Sequence, residues 1–345
     1  MDSGPPVFCT VADRAYFLGA VALVNSLRLT EHAQEIALLD VGLDDRQRAF
    51  LDREATIHEG PAGVGWLSVF VKPLFADLYP DRSLVLIDND VVVTRSLQPL
   101  LDAAAEGKIA AFVQADSSRW FAEWETLFRL REPLRHGSYV NGGCVALSSA
   151  RWRPFLDRWR ELGESVAGDR AARPFLVPQQ EARADPVGYN EQDTLNALLM
   201  SEVPESAVEL WSHLLAPSWE ERDEVHVVDA TSLRCWVDGE EPFFLHATGQ
   251  PKPWQPKGWL RLRFDAFSEL LRRVLTGDDV ALRVPSAWLP PWLRVDARGR
   301  LLDASGAAAA RALRASSAVL PEPVRARLVA PIRARFSRTG ARAEK

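Results

Sequence analysis

The sequence is poor in cysteine and in long apolar runs, and each shortage excludes a class of protein. Its 345 residues include three cysteines, Cys9, Cys144 and Cys235, too few and too scattered for a disulfide framework. No apolar run approaches the roughly 20 residues that a transmembrane helix needs. Residues 1–6 lack the basic segment of a signal peptide. Together these shortages favour a reducing, cytoplasmic location.

Lysine is also scarce, although arginine is not. The net charge of −6 argues against nucleic acid as a partner. Only five of the 41 basic residues are lysine: Lys72, Lys108, Lys252, Lys257 and Lys345. In a chain that otherwise uses arginine, a lysine can mark a place where arginine would not serve. A solvated surface lysine is the ordinary alternative.

Apolar periodicity predicts alternating strands and helices over the first 275 residues. Strands are expected at 7–11, 36–41, 55–58, 84–87, 109–113, 139–147 and 243–246. Helices are expected at 16–29, 44–53, 69–78, 97–106, 119–130, 150–162, 191–200 and 265–275, with a long loop over 168–188. This alternation predicts an α/β fold with a mixed, mainly parallel sheet flanked by helices.

The composition changes near residue 282, which predicts a domain over 1–281 and an extension over 282–345. The extension begins with a linker rich in proline and tryptophan and continues into an Ala/Arg-rich tail. Residues 307–345 hold nine basic and two acidic residues. An imperfect apolar face is made by Val324, Leu328, Val329, Ile332 and Phe336. Two interpretations stay open: peripheral contact with the inner face of a membrane, or a solvated tail.

The most informative segment is an apolar strand that runs directly into two carboxylates, in residues 84–93, LVLIDNDVVV. Asp88 and Asp90 are two apart, so on an extended chain they point to the same side. Carboxylates are costly to bury unless something pairs with them, and strand ends are where open α/β sheets bind ligands. A divalent cation that holds a phosphate is the natural partner. The alternative is a solvated acidic turn.

A second polar segment follows the apolar strand near residue 245. His246 is a candidate third metal ligand, and two carboxylates with one imidazole suit Mn²⁺ better than Ca²⁺. Gly249 would let the backbone approach a phosphate, and Lys252 would neutralise a diphosphate as a compact charge. Taken alone, His246 could equally be a capped strand end.

Three further segments offer polar or aromatic groups with an ordinary alternative each. Asn141 precedes two glycines, which indicate either a bulge or a close approach to a hydroxyl-rich ligand. Glu191 and Gln192 open a helix, where they either cap it or contact sugar hydroxyls. Tyr16 follows residues 10–13 at the end of the first strand, where its ring would stack on a base or pack on the helix.

Taken in order, these segments resemble the retaining glycosyltransferases of family 8, the group that contains glycogenins and bacterial lipooligosaccharide galactosyltransferases. The resemblance lies in five segments: FCTVADRAYFLGAVALVNSL (8–27), VKPLFADLYPDRSLVLIDNDVVV (71–93), YVNGGCVALSSARW (139–152), NEQDTLN (190–196) and HATGQPKPW (246–254). Each segment is modest alone, and their order and spacing make the resemblance specific.

The resemblance implies a GT-A nucleotide-sugar-binding domain over 1–281 and assigns roles to individual residues. The implied Mn²⁺ ligands, with Mg²⁺ as an alternative ion, are Asp88, Asp90 and His246. The implied uridine contacts are Ala12, Asp13 and Tyr16. Near the nucleotide, its diphosphate and the sugar stand Lys72, Gly249 and Lys252. The donor sugar and the reaction centre would be lined by Asp116, Asn141, Glu191 and Gln192.

The implied reaction moves a hexose from UDP-glucose or UDP-galactose to a hydroxyl acceptor, such as a glycan or a lipid-linked sugar, with retention of anomeric configuration. Glu191 stands where the family usually has aspartate, and the 142–143 glycine pair is smaller than usual, so the sugar stays open. No nucleophile is assigned. The alternative is a non-catalytic nucleotide-sugar-binding protein. A sugar nucleotidyltransferase is disfavoured because residues 10–13 are not a glycine-rich phosphate loop.

Overall fold

The computed structural model describes residues 4–61, 65–170, 179–218, 225–249, 252–255 and 266–294. The predicted basic tail, Lys257 and Lys345 lie outside these residues. The strands are β1 (Val7–Ala12), β2 (Glu35–Asp40), β3 (Thr56–Glu59), β4 (Ser83–Ile87), β5 (Val91–Val93), β6 (Ile109–Val113), β7 (Val140–Ser148), β8 (Val208–Trp211), β9 (Val225–Asp229), β10 (Arg234–Val237) and β11 (Phe244–His246).

The helices follow the predicted alternation over most of the chain. They are α1 (Phe17–Leu29), α2 (Asp45–Leu51), α3 (Phe75–Leu78), α4 (Gln98–Ala105), α5 (Trp124–Leu127), α6 (Arg153–Arg170), α7 (Gln179–Ala184), α8 (Glu191–Leu199) and α9 (Ala266–Thr276). A 3-10 helix, Gly65–Leu74, precedes α3 and occupies most of the helix predicted at 69–78. None of the described helices is both long and apolar enough to cross a membrane.

A seven-stranded sheet in the order β3-β2-β1-β4-β7-β6-β8 forms the centre of the domain. The pairs β1–β2, β2–β3, β1–β4 and β6–β8 are parallel, whereas β7 runs antiparallel to both β4 and β6. The predicted mixed, mainly parallel α/β sheet is therefore confirmed. Two smaller pairs lie outside it: β9 with β10, and β5 with β11.

A core cluster packs one face of this sheet against α3, α6 and α8. Alternate residues of the central strands enter it, as the two-residue period of a strand requires, and Trp159 of α6 is 1% exposed there. Helix α1 lies beside β5 and α9. Its buried Asn25 donates to the carbonyls of Val274 (2.7 Å) and Leu282 (2.9 Å). These bonds fix the segment after α9 to the domain.

The chain divides into two compact units, residues 1–290 and 291–345. In the second unit, the described residues form one short 3-10 helix, Pro291–Leu293. The predicted division between residues 281 and 282 stays a prediction.

The segments around α5 and α7 differ from the sequence prediction. The helix expected at 119–130 is reduced to α5, whose C-terminal end is followed by Arg129 in the left-handed region at φ 48°. The loop expected at 168–188 contains α7. The Arg119 guanidinium links the two segments, because it donates to the carbonyls of Arg183 (2.8 Å) and Asp185 (2.6 Å) at the end of α7.

Candidate active site

The acidic turn, residues 88–90, joins β4 to β5 and is fixed by the neighbouring strands. The Asp88 amide donates to the Gly143 carbonyl of β7 at 2.8 Å. The Asn89 side-chain amide donates to the Val11 carbonyl of β1 at 2.5 Å. The middle residue of the motif therefore anchors the turn, while the two aspartates on either side remain available to a ligand.

His246 reaches this turn because β11 pairs antiparallel with β5, which places it opposite Val91. Its Nε2 atom lies 3.1 Å from Asp90 Oδ1 and 3.5 Å from Asp88 Oδ2. One ligand atom from each of the three side chains lies within 4.8 Å of the others. Two carboxylates and an imidazole converging on one point fit the donor set of a divalent metal ion.

Two of the scarce lysines are buried against the same carboxylates. Lys72 is 4% exposed, and its Nζ lies 2.6 Å from Asp88 Oδ1 and 2.8 Å from the Gly142 carbonyl. Lys252 is 5% exposed and donates to Asp90. Buried ammonium groups are retained only where charges partner them, so these lysines concentrate positive charge at the predicted metal and diphosphate site.

The charges in this cluster hold one another in the ionised form. Burial raises the pKa of Asp90, but the Lys252 ammonium and the His246 imidazole outweigh it and hold that pKa well below its ordinary value. Burial lowers the pKa of Lys72, and the nearby Asp88 carboxylate more than restores it. At neutral pH the Asp90 carboxyl is therefore ionised and the Lys72 amine is charged.

A bulge in β7 brings Asn141 and the two glycines to the site. Pairing with β6 jumps from Asn141 to Val145, so residues 142–144 form the bulge. A Cβ on Gly143 would lie 2.6 Å from His246 Nδ1 and closer still to Cε1, whereas one on Gly142 would meet Gln192 at an ordinary 3.5 Å. The bulge is confirmed, and at it the backbone of Gly143 lies close to the imidazole of His246; an approach to a hydroxyl-rich ligand stays a prediction.

The first turn of α8 faces this bulge. Gln192 Oε1 accepts from the Gly142 amide at 2.9 Å, and its Nε2 donates to Gln114 at 3.3 Å. Asn141 also donates to Gln114, at 3.0 Å. Sequence reasoning missed Gln114, whose signal was a polar residue directly after the buried strand β6.

Glu191, the first residue of α8, has a carboxyl group whose pKa is strongly raised. Part of its side chain reaches the surface, but protein atoms surround the carboxyl. Burial raises the pKa of this carboxyl, the positive charge of Lys72 lowers it, and the negative charge of Asp88 raises it. The net result is a pKa of about 8. Glu191 can therefore exchange a proton near neutral pH.

The predicted uridine contacts lie at the carboxyl end of β1. Ala12 is buried, and Asp13 Oδ1 accepts from the Tyr16 amide at 3.0 Å, which caps a 3-10 turn. Lys252 Nζ lies 5.6 Å from the Tyr16 ring centre, and the Trp254 ring packs edge-on to Tyr16 at 6.2 Å. Trp254 is a further aromatic group of the site that the residue assignments did not include.

Two predicted residues are not joined to the cluster. Asp116 is exposed and accepts from Ser118 at 2.8 Å, and Gly249 adopts a φ of 76°, which explains the glycine by backbone conformation. Within the described part of the chain, neither forms a hydrogen bond or ion pair with the metal-ligand side chains.

Comparisons with known proteins agree with this geometry. No protein-family model matches the sequence. Over 84 residues the chain is 36% identical to "Probable galacturonosyltransferase 7" of Arabidopsis thaliana, and the match spans 24% of this chain and 12% of that protein. The galactosyltransferase LgtC, solved with donor and acceptor sugar analogues, has a TM-score of 0.51 at 17% identity and covers 83% of this chain and 99% of its own.

The chain has a GT-A glycosyltransferase fold. The bifunctional glycosyltransferase WbbM shares it, with a TM-score of 0.52 at 14% identity over 81% of this chain and 50% of that one. The resemblance to family 8 glycosyltransferases that the motifs predict is confirmed. In this GT-A domain the acidic turn, His246 and the two lysines occupy the carboxyl-end edge of the sheet, where an α/β fold binds its ligands.

Proposed function

We propose that the protein is a Mn²⁺-dependent retaining glycosyltransferase that moves a hexose from a UDP-sugar to a hydroxyl acceptor. The observation that carries this proposal is the convergence of Asp88, Asp90 and His246 on one point, with Lys72 and Lys252 buried against the two carboxylates. The GT-A fold supports it, as does the solved complex of LgtC with donor and acceptor sugar analogues.

The metal site would act on the leaving diphosphate. Asp88, Asp90 and His246 would hold the ion, which supplies Lewis-acid stabilisation of negative charge when bound. Lys252 would add a second positive charge beside the diphosphate. Because its ammonium is already held against Asp90 and the Ala247 carbonyl, little reorganisation is needed when that charge develops.

The sugar would lie between the β7 bulge and the first turn of α8. Asn141, Glu191 and Gln192 offer amide and carboxyl groups to its hydroxyls there, and the nucleoside would lie toward Asp13 and Tyr16. The bond between the anomeric carbon and the phosphate oxygen breaks, and the acceptor oxygen bonds to that carbon on the same face. The departing phosphate takes the acceptor's proton, so the step needs no separate base.

A donor screen that follows UDP release, with and without Mn²⁺, tests the proposal. The donors are UDP-glucose, UDP-galactose and UDP-galacturonate, the last because of the partial match to a galacturonosyltransferase. Asp90→Ala should abolish the Mn²⁺-dependent rate, whereas Asp102→Ala, an exposed aspartate on α4, should not. An unchanged rate in Asp90→Ala rules the assignment out. Binding of a UDP-sugar without turnover favours the non-catalytic alternative.

A further inference from the structure

The residue directly before the first turn of α8, Asn190, has a strained backbone conformation. Asn190 adopts φ 54° and ψ −121°, a conformation that residues other than glycine rarely take. Its buried Oδ1 atom has no hydrogen-bond partner among the described residues. Such a conformation persists only where the surrounding structure over-determines it. The residues on either side of Asn190 must therefore be held firmly.

The buried carboxylate of Asp193 accepts four hydrogen bonds that hold these residues in place. Asp193 is 0% exposed, and its two oxygens accept from Arg119 Nε (2.6 Å) and Nη2 (2.8 Å), from the Tyr139 hydroxyl (2.7 Å) and from the Tyr189 amide (2.7 Å). Bidentate guanidinium–carboxylate pairing fixes orientation as well as distance. The carboxylate of Asp193 is thus fully engaged within the protein.

These bonds connect the two segments that form the sugar side of the site. Tyr139 directly precedes β7 and its bulge, and Tyr189 and Asp193 bracket the turn that carries Glu191 and Gln192. Asn196 adds a second tie, because its side chain exchanges hydrogen bonds with both backbone groups of Val140, at 2.7 and 2.9 Å. The metal ligands lie on the β4–β5 turn and on β11; β4 pairs with β7, and the Asp88 amide donates to the Gly143 carbonyl in the bulge of β7.

We propose that Arg119, Tyr139 and Asp193 form a positioning cluster that sets Glu191 and Gln192 against the donor sugar. None of the three need touch the substrate: they act through the turn of α8. The proposal rests on the proposed function for its substrate. It predicts that loosening the cluster lowers the rate of the chemical step more than it weakens metal and nucleotide binding, because the cluster bonds directly to the turn of α8 and reaches the metal ligands only through β7.

Tyr139→Phe tests this with a matched control. It removes one hydroxyl bond to a carboxylate. Tyr79→Phe, away from the site, removes the bonds of the Tyr79 hydroxyl to Glu35 (2.7 Å) and His58 (2.8 Å). Both variants should lose thermal stability. Only Tyr139→Phe should lower kcat for UDP release, by roughly tenfold, since small misplacements of reacting groups are costly. The affinities for UDP and Mn²⁺, measured by calorimetry, should stay within about twofold.

A second variant separates positioning from folding. Arg119→Met combined with Asp193→Leu replaces the buried ion pair by apolar side chains, so no buried charge is left unpaired, although the Tyr139 hydroxyl and the Tyr189 amide lose their acceptor. Retained stability with a reduced kcat supports the positioning role, whereas a wild-type kcat overturns it.

Amide hydrogen exchange of residues 189–199 tests the positioning cluster without measuring enzymatic turnover. Faster exchange in Tyr139→Phe than in Tyr79→Phe is expected, and equal exchange overturns the positioning cluster. A wild-type protein that neither binds UDP nor releases it from any donor contradicts the proposed function instead.

Discussion

Replacing Gly143 by alanine is expected to disrupt the metal site while the fold survives. The added Cβ would lie 2.6 Å from His246 Nδ1 and 2.8 Å from Asn141 Oδ1, whereas ordinary contact begins near 3.4 Å. Both neighbours are tied down: Asn141 accepts from the Gly143 amide at 2.7 Å, and the imidazole is 3.1 Å from Asp90. The ring must therefore retreat by roughly 1 Å, a shift that packed interiors resist.

The size of the effect follows from this displacement. Overpacking of this kind costs about 1–3 kcal/mol of folding stability, which a domain of this size can tolerate. Misplacing one of three ligands should lower Mn²⁺ affinity by roughly 10- to 100-fold, the range seen when the support of a metal ligand is lost. UDP release should fall with metal occupancy and recover in part when Mn²⁺ is raised.

The neighbouring glycine supplies the control. A Cβ at Gly142 meets Gln192 at an ordinary 3.5 Å, so Gly142→Ala should bind Mn²⁺ as the wild type does. Titration calorimetry of both variants with Mn²⁺, alongside thermal unfolding, measures the difference. Wild-type Mn²⁺ affinity in a folded Gly143→Ala protein would refute the reasoning, because it would mean that the imidazole in its present position is not needed.

Three other predictions follow from the charges of the chain. Lys252→Met should weaken UDP binding by roughly tenfold or more, as expected for a lost charge-assisted bond. Lys108→Met, at a half-buried lysine that bonds the Ser206 carbonyl, should not; equal effects would contradict the assignment. The Glu191 carboxyl has an ordinary pKa of 4.5 and a folded pKa of about 8, so the folded state holds the extra proton between these values and loses stability as pH rises through them. Glu191→Gln should reduce the fall in the free energy of unfolding between pH 5 and pH 8, as measured by urea unfolding of the metal-free protein. An equal fall in the wild type and the variant would contradict this prediction. Truncation after Pro321 should abolish binding to anionic vesicles, and full-length protein that ignores such vesicles would remove the membrane interpretation.

The fold was predictable wherever the apolar pattern was strong. The strand at 109–113 is found with the predicted bounds, because four of its five apolar residues are buried, on both faces, where β6 lies between β7 and β8. The strands β8, β9 and β10 were missed because they are short and partly exposed, so their sequences carry no clear period. The aromatic spacing around residue 124 predicted a longer helix, but those rings pack from turns as well as from α5.

Individual residues of the site could be predicted from the sequence, but their positions relative to one another in space could not. Asp88 and His246 each follow an apolar run, which marks a strand end in the sequence. Their meeting depends on the pairing of β5 with β11, and periodicity does not reveal which strands pair. Asp193 gave no signal beyond a polar helix start, because its partner Arg119 is 74 residues away.

The antiparallel pairing of β5 with β11 also has a consequence for the order in which the protein matures. It joins side chains 156 positions apart, so His246 is synthesised long after Asp90. A nascent chain still short of residue 246 presents two carboxylates without the imidazole that completes the set. Loading with metal is therefore expected late in biosynthesis, and shorter translation products should compete poorly for the ion.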